Sequence, residues 1–286
     1  MSKNVVIIGS GPAGISAALY TCRAGFATTI ISKGVGALAL AEMENYYGFE
    51  DKILGADLHA AGMQQAQRLG AEMVIAEAVG LDFTDRLLVK TTVGDYPADA
   101  VILATGTQRT TPRIKGIKEL EGRGVSYCAT CDAFFYKNKA VAVLGDGEYA
   151  LHEALELVHL ASSVTILTNG KEPSVEIPSN ISVDKRPLDS IVGTDSVQGV
   201  KFSDGEVLEI KGLFVAVGIA SSNDLARKLG AETDGNKLVV DEQMQTAVPG
   251  LYAAGDCVGG LLQVAKAVYD GAVAGISVIK YLRSQG

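Results

Sequence analysis

The segment Cys128-Ala-Thr-Cys131-Asp132 sets two sulfurs three residues apart, with a carboxylic acid directly behind them. At that spacing the sulfurs fall about one helical turn apart and can close a small, readily reduced ring, which is the chemistry of a redox dithiol. Zinc ligation and a pair of unlinked structural thiols share the spacing. A zinc site needs two further ligands, whereas Cys22, Cys257, His59, His152 and His159 are scattered along the chain. Cys22 and Cys257 themselves read as packed thiols. Asp132 also has two readings: an acid that gives or takes a proton as a dithiol cycles, or a helix cap.

A second chemistry lies at the N-terminus. The apolar run Asn4 to Ile8 breaks into Gly9-Ser10-Gly11-Pro12-Ala13-Gly14 and continues into the helix-forming stretch Ile15 to Cys22. Strand, glycine turn and helix in that order aim backbone N–H groups and the positive helix end at a pyrophosphate. The fingerprint is incomplete. Where an acid would hold the ribose hydroxyls the chain reads Ile31-Ser32-Lys33, with no carboxylate before Glu42.

These groups require elements to hold them. The strand-turn-helix pattern recurs at Lys139 to Leu144, Gly145-Asp-Gly-Glu-Tyr-Ala150 and Leu151 to Val158, followed by the strand-like Val164 to Thr168. Between the two units lie Ala100 to Gly106, a strand ending on a glycine, and a polar connector from Thr107 to Gly124. A third stretch, Val248 to Asp256, precedes the last helix. The expected fold is α/β, three-layered, with two Rossmann-like dinucleotide-binding domains, the second inserted in the first. Residues 1–112 and 245–286 form the outer, discontinuous domain, and residues 113–244 the insertion.

Bulk properties agree with an enzyme of this kind. A chain of 286 residues, 48% hydrophobic and 20% charged, has material for two cores. Net charge of -8 disfavours nucleic acid, whose phosphates call for a basic footprint. The chain enters a strand almost at once, which leaves no room for a signal peptide and makes the cytoplasm the expected location. Leu261 to Leu282 is apolar, yet it carries Lys266, Asp270 and Lys280 at intervals suited to one face of a soluble helix, so no membrane span is expected.

Taken together, Gly9 to Gly14, Glu42-Met-Glu-Asn45, Ala104-Thr-Gly106, Gly122-Arg-Gly-Val-Ser-Tyr-Cys-Ala-Thr-Cys-Asp132, Phe134-Phe-Tyr136 and Ala253-Ala-Gly-Asp256 with Gln263 resemble the low-molecular-weight thioredoxin reductases over essentially the whole chain. The resemblance implies a flavoprotein disulfide reductase, usually a homodimer, whose outer domain binds FAD and whose inserted domain carries the dithiol. It implies that Cys131 faces the flavin, that Cys128 attacks the disulfide of thioredoxin, and that Asp132 is the proton donor. Gly9, Ser10, Gly11, Pro12, Ala13, Gly14, Asn45, Ala104, Thr105, Gly106, Gly255, Asp256, Gln263, Val264 and Ala265 become the FAD contacts.

The chain departs from the family at its second nucleotide site. Asp146 and Glu148 stand where a pyrophosphate would approach and would repel it. The family's His-Arg-Arg clamp for the 2′-phosphate of NADPH is replaced by Thr168-Asn-Gly-Lys-Glu-Pro173, and its G-H-x-P-N pattern by Gly218-Ile-Ala-Ser-Ser-Asn223. NADH would want an acid after the Val164 to Thr168 strand, and that position has none. In this the chain resembles the branch of the family reduced by ferredoxin. A plant-type ferredoxin near about −400 mV feeding a thioredoxin near about −270 mV leaves roughly 6 kcal/mol for two electrons. An acidic ferredoxin needs a basic landing site. Arg109, Arg113, Lys115, Lys118, Arg123, Lys137 and Lys139 outnumber Glu119, Glu121 and Asp132 in one stretch, although an ordinary solvated surface has the same composition. The competing expectations are an NADPH- or NADH-dependent thioredoxin reductase and, in a different class, an FAD-containing redox-responsive binding protein.

Overall fold

The structure, a computed structural model, describes residues 3–34, 36–106 and 112–285. Among them are the helices α1 (Pro12–Arg23), α2 (Gly55–Arg68), α3 (Ala129–Asp132), α4 (Glu148–Val158), α5 (Ser222–Arg227) and α6 (Val264–Ser284). The chain forms two compact units, residues 1–108 with 221–286, and residues 109–220.

The first unit is built on a five-stranded parallel sheet in the order Leu251–Ala253, Ala100–Leu103, Asn4–Ile8, Ala27–Ser32, Glu72–Ile75. Its central strands are apolar on both faces, because helices cover one face and the Ala78–Phe83, Leu87–Thr91, Gly94–Ala98 meander belongs to the same unit. Ile7, Ile30, Ile102 and Tyr252 are fully buried with Ala17, Ala18 and Val278 of the helices. Each large apolar side chain hidden in this way contributes on the order of 1.5–3 kcal/mol. Pro12 starts α1, as its missing N–H allows, so the helix begins three residues earlier than the Ile15 to Cys22 stretch suggested.

The second unit repeats the plan with the parallel order Val125–Ser126, Gly212–Val215, Ala140–Leu144, Ser163–Leu167, Ser182–Asp184 and an antiparallel trio, Leu188–Val192, Gly199–Phe202 and Val207–Glu209. Its core gathers Leu144, Leu167, Phe202, Leu213 and Val215. Arg186 covers the edge of that core, stacked 3.8 Å over the Phe202 ring and bridged to Asp184 and Asp204.

The second unit ends at Ala220, whereas the glycine-turn positions placed its end at residue 244. The segment from Ser221 is tied to the first unit by side chains. Ser222 Oγ lies 2.7 Å from Thr105 Oγ1, the Ser222 N–H donates to the same oxygen at 3.0 Å, and Gly259 lies against the Lys237 side chain. Composition carries no trace of these bonds, so the linker could not be seen. Arg109, near the other boundary, lies outside the described residues.

Candidate functional site

Both glycine turns sit at the C-terminal edge of a parallel sheet, where such folds bind ligands. In the first unit, adjacent strands end at Ile8, Leu103 and Ala253, so Gly9, Ala104 and Ala254 emerge side by side. Gly9 has φ +111°, and a Cβ there would lie 2.2 Å from Ala104 O; a Cβ on Gly14 would lie 1.9 Å from Gly9 O. Only glycine packs the turn this closely. A Cβ on Gly11 would meet nothing within 4 Å, so the turn's outer face is open.

The remaining residues of the expected FAD set gather around this edge. Gly255 packs on Ala13, and its N–H donates to Asp270 Oδ2 at 3.1 Å. Asp270 is buried and paired with Lys266 at 2.6 Å, and Lys266 also donates to Gly255 O. These two charges of α6 therefore clamp the Gly255-Asp256 turn. Gln263 precedes α6 and accepts from Asn45 Nδ2 at 3.0 Å. The first-turn N–H groups at Val264 and Ala265 have no intrahelical acceptor and are open to a ligand oxygen. Burial holds the Asp256 carboxyl above the usual carboxylate range, with Lys266 opposing and Asp270 adding to the effect.

A carboxylate from elsewhere in the unit reaches the residues after Ser32. Ser10 Oγ donates to Ser32 Oγ at 2.9 Å, and Lys33 Nζ pairs at 2.6 Å with Glu77, a buried acid whose Oε1 has no protein partner. Near Thr105, Asn223 is likewise buried with both ends of its amide unpartnered. An open glycine turn, a capless helix start and orphaned polar atoms on one sheet edge fit a dinucleotide such as FAD.

In the second unit Cys128 and Cys131 are joined as a disulfide, with the Cα atoms 5.3 Å apart. Among the described residues no group of His, Cys, Asp and Glu could hold a metal ion. Cys128 caps α3, its Sγ accepting the Cys131 N–H at 3.2 Å. The Cys128 N–H donates to Ser126 Oγ at 3.1 Å, and that hydroxyl donates to Asp132 Oδ2 at 2.7 Å. Asp132 thus ends α3 and is bonded to the dithiol's own scaffold. Its charge, added to the larger effect of burial, raises the Tyr136 hydroxyl above its ordinary value. Cys128 is 4% exposed, whereas Cys131 is exposed. Phe134 and Phe135, at 74% and 69% exposure, form an apolar ledge beside the pair.

The second glycine turn is closed by its own chain. Asp146 O accepts both the N–H and the hydroxyl of Ser174, at 2.7 and 2.9 Å, and Lys171 Nζ lies 3.1 Å from Asp146 Oδ2. Glu148 opens α4. Residues 171–174 therefore fold back over the turn, with Ser174 Oγ 3.4 Å from where a Cβ on Gly147 would lie, and occupy space a pyrophosphate would need. The other thiols stand apart from this chemistry: Cys257 is buried, which pushes it up to about 11, and burial raises half-buried Cys22 as well.

Ser126, Glu77, Ser174 and the buried Glu153 of α4 were not singled out from the sequence. Only Glu153 carried a signal, an acid on the helix face that also presents Tyr149, Ala150, Ala154 and Leu157.

An open dinucleotide cradle in one Rossmann-like unit and a disulfide at the sheet edge of another define a flavoprotein-type disulfide reductase fold. The pyridine nucleotide-disulphide oxidoreductase profile matches residues 3–271. Thioredoxin reductase from Aquifex aeolicus (strain VF5) is 36% identical over 98% of this chain and 93% of its own length. The structure of an atypical thioredoxin reductase from Desulfovibrio vulgaris Hildenborough is 42% identical and superposes with a TM-score of 0.94 over 99% of both chains. That of a ferredoxin-flavin thioredoxin reductase from Clostridium acetobutylicum is 32% identical, with a TM-score of 0.72 over 99% of this chain and all of the other. The chain belongs to the pyridine nucleotide-disulphide oxidoreductase family and, within it, to the low-molecular-weight thioredoxin reductases. Among the described residues no helix is long and apolar enough to cross a membrane.

Proposed function

We propose that the protein is an FAD-containing thioredoxin reductase whose electrons come from reduced ferredoxin rather than from a pyridine nucleotide. The observation that carries the choice of donor is the closed turn at Asp146, where a carboxylate stands beside the second glycine and Ser174 and Lys171 fold back over it. The likeness to a ferredoxin-flavin thioredoxin reductase points the same way. Arg113, Lys115, Lys118, Arg123, Lys137 and Lys139 are all exposed and offer cations to an acidic donor.

Gly9 to Gly14, Asn45, Thr105, Gly255, Asp256 and Gln263 to Ala265 would hold the flavin, with Glu77 near the ribose end. When bound, the flavin supplies the step from single electrons to a pair. The chain's own residues then handle the exchange. Two electrons and two protons convert the Cys128–Cys131 disulfide to thiols, and attack of one thiolate on thioredoxin's disulfide passes both on. Asp132, bonded through Ser126 to the Cys128 N–H, is the acid that would hold a proton for the thiol that leaves. The exposed Phe134 and Phe135 offer thioredoxin an apolar footing. A homodimer of cytoplasmic location completes the reading, and light scattering checks its assembly.

Anaerobic mixing tests the donor. Reduced ferredoxin should bleach the flavin's visible absorbance and drive thioredoxin reduction, while NADPH and NADH leave the spectrum unchanged; rapid bleaching by NADPH would overturn the proposal. A second reading concerns which sulfur meets thioredoxin. The resemblance gives that role to Cys128, but Cys131 is the exposed one in the oxidised state. A thioredoxin lacking its resolving cysteine should be trapped as a mixed disulfide by Cys131→Ser if Cys128 attacks, and by Cys128→Ser if Cys131 does.

A further inference from the structure

The disulfide exchange leaves one buried acid without a task. Glu153 is 1% exposed on the core-facing side of α4, and its Oε2 accepts the N–H of Ala129 at 2.6 Å. Ala129 follows Cys128 directly and is the first residue of α3. We propose that Glu153 is a positioning residue that sets the reducing power of the Cys128–Cys131 pair: its carboxylate holds the backbone between the two sulfurs, and its charge opposes build-up of thiolate beside it.

The position argument is one of cost. A buried carboxylate is expensive to desolvate, and an apolar residue would fill this face of α4 more cheaply. Glu153 instead spends a charge-assisted hydrogen bond on the single peptide that joins Cys128 to the turn. The charge argument is one of sign. Free N–H groups beside a cysteine stabilise its thiolate, and a dithiol whose reduced form is stabilised in this way becomes oxidising. Glu153 occupies one such N–H with an anion and works in the opposite direction. The reduced pair is kept as thiols, each holding its proton. When the Cys128–Cys131 bond re-forms, two electrons and two protons leave together and the partner's disulfide opens to two thiols.

The other titratable groups on the elements packed here are Asp132 and Tyr136 after the pair, Tyr127 before it, and Glu148, Tyr149 and His152 with Glu156 on α4. The strands beneath, Ala140–Leu144 and Ser163–Leu167, bring none. Asp132 is already engaged by Ser126, and the Tyr149 hydroxyl donates to Tyr127 O. Glu153 is the acid bonded to the peptide between the sulfurs.

The inference rests on the disulfide-exchange reading and is independent of the donor. Its test uses the full-length flavoprotein without thioredoxin, so that failure to reduce thioredoxin and failure of this proposal are told apart. In Glu153→Gln the amide oxygen still accepts the Ala129 N–H, which keeps position and removes charge. The pH midpoint for iodoacetamide alkylation of the reduced cysteines, read by mass spectrometry, should fall by about one unit, a roughly tenfold gain in thiolate. Equilibration with dithiothreitol more than about a unit below the variant's midpoint should hardly change, while the balance should move toward reduced protein from there upward, reaching up to about tenfold, or roughly 30 mV, above the original midpoint. A folded Glu153→Gln protein with both properties unmoved overturns the proposal. Should that variant not fold, Glu153→Asp is measured instead: its shorter reach should shift both readings in the same direction by less, and unmoved values would again overturn it.

Discussion

Gly9 and Gly145 begin their turns alike. Each follows an apolar parallel strand, each N–H reaches the neighbouring strand, at Ile31 O (2.8 Å) and Leu167 O (3.0 Å), and each would drive a Cβ to 2.2 Å from a carbonyl oxygen, of Ala104 and Ala216. The helices that follow begin alike too, with Ile15 N bonded to Gly11 O and Leu151 N to Gly147 O, both at 3.0 Å. The turns part at the second glycine. Gly11 faces open space, whereas Gly147 faces Ser174 Oγ and its neighbour Asp146 is bonded to residues 171 and 174. The first glycine therefore serves the fold, whereas the second differs only in what its outer face meets, so the architecture does not depend on whether that face is open.

The strongest way to break this comparison is at the first glycine. Gly9→Ala and Gly145→Ala should each destabilise their own unit by about 3 kcal/mol, from backbone clash in both and left-handed strain at Gly9. Limited proteolysis during thermal unfolding would locate the weakened unit, and a Gly145→Ala protein as stable as its parent would end the equivalence. At the second glycine the two should diverge. Gly11→Ala should fold normally yet bind FAD at least about tenfold more weakly, or roughly 1.4 kcal/mol; Gly147→Ala should leave flavin content unchanged in the same titration.

Opening the closed turn should have a smaller effect. Lys171→Ala with Ser174→Ala is expected to cost at most about 1 kcal/mol, as exposed pairs do, and to leave NADPH inactive, because no arginine clamp follows. NADPH oxidation by that variant would show the plug to be the sole block. The smallest effect belongs to Asp256, at the edge of the open turn. Because burial raises its folded-state value, its stability contribution is intact below the ordinary carboxylate range and is lost as pH rises through that raised value. Asp256→Asn should melt slightly higher than the parent near neutrality and with it in acid, by calorimetry on the apoprotein. Equal melting at every pH would remove the proposed strain.

Local patterns in the sequence were sufficient for both strand-turn-helix units, the inserted organisation and the Cys128–Cys131 pair, because each depends on neighbours within a few residues and on side-chain periodicity. The departures at Asp146, Glu148 and Thr168 to Pro173 were also legible, as charges and missing arginines. Tertiary structure decided what distant residues supply. Ser174 returns 28 residues later to close the turn at Asp146, Glu153 reaches the peptide after Cys128 from 24 residues away, and Glu77 brings a carboxylate to Lys33 from 44 residues away. It likewise decided that Ser221 onward belongs to the first unit, through Thr105 and Ser222. These contacts follow from how parallel strands order themselves in a sheet, which places chemically complementary groups together without leaving a pattern along the chain.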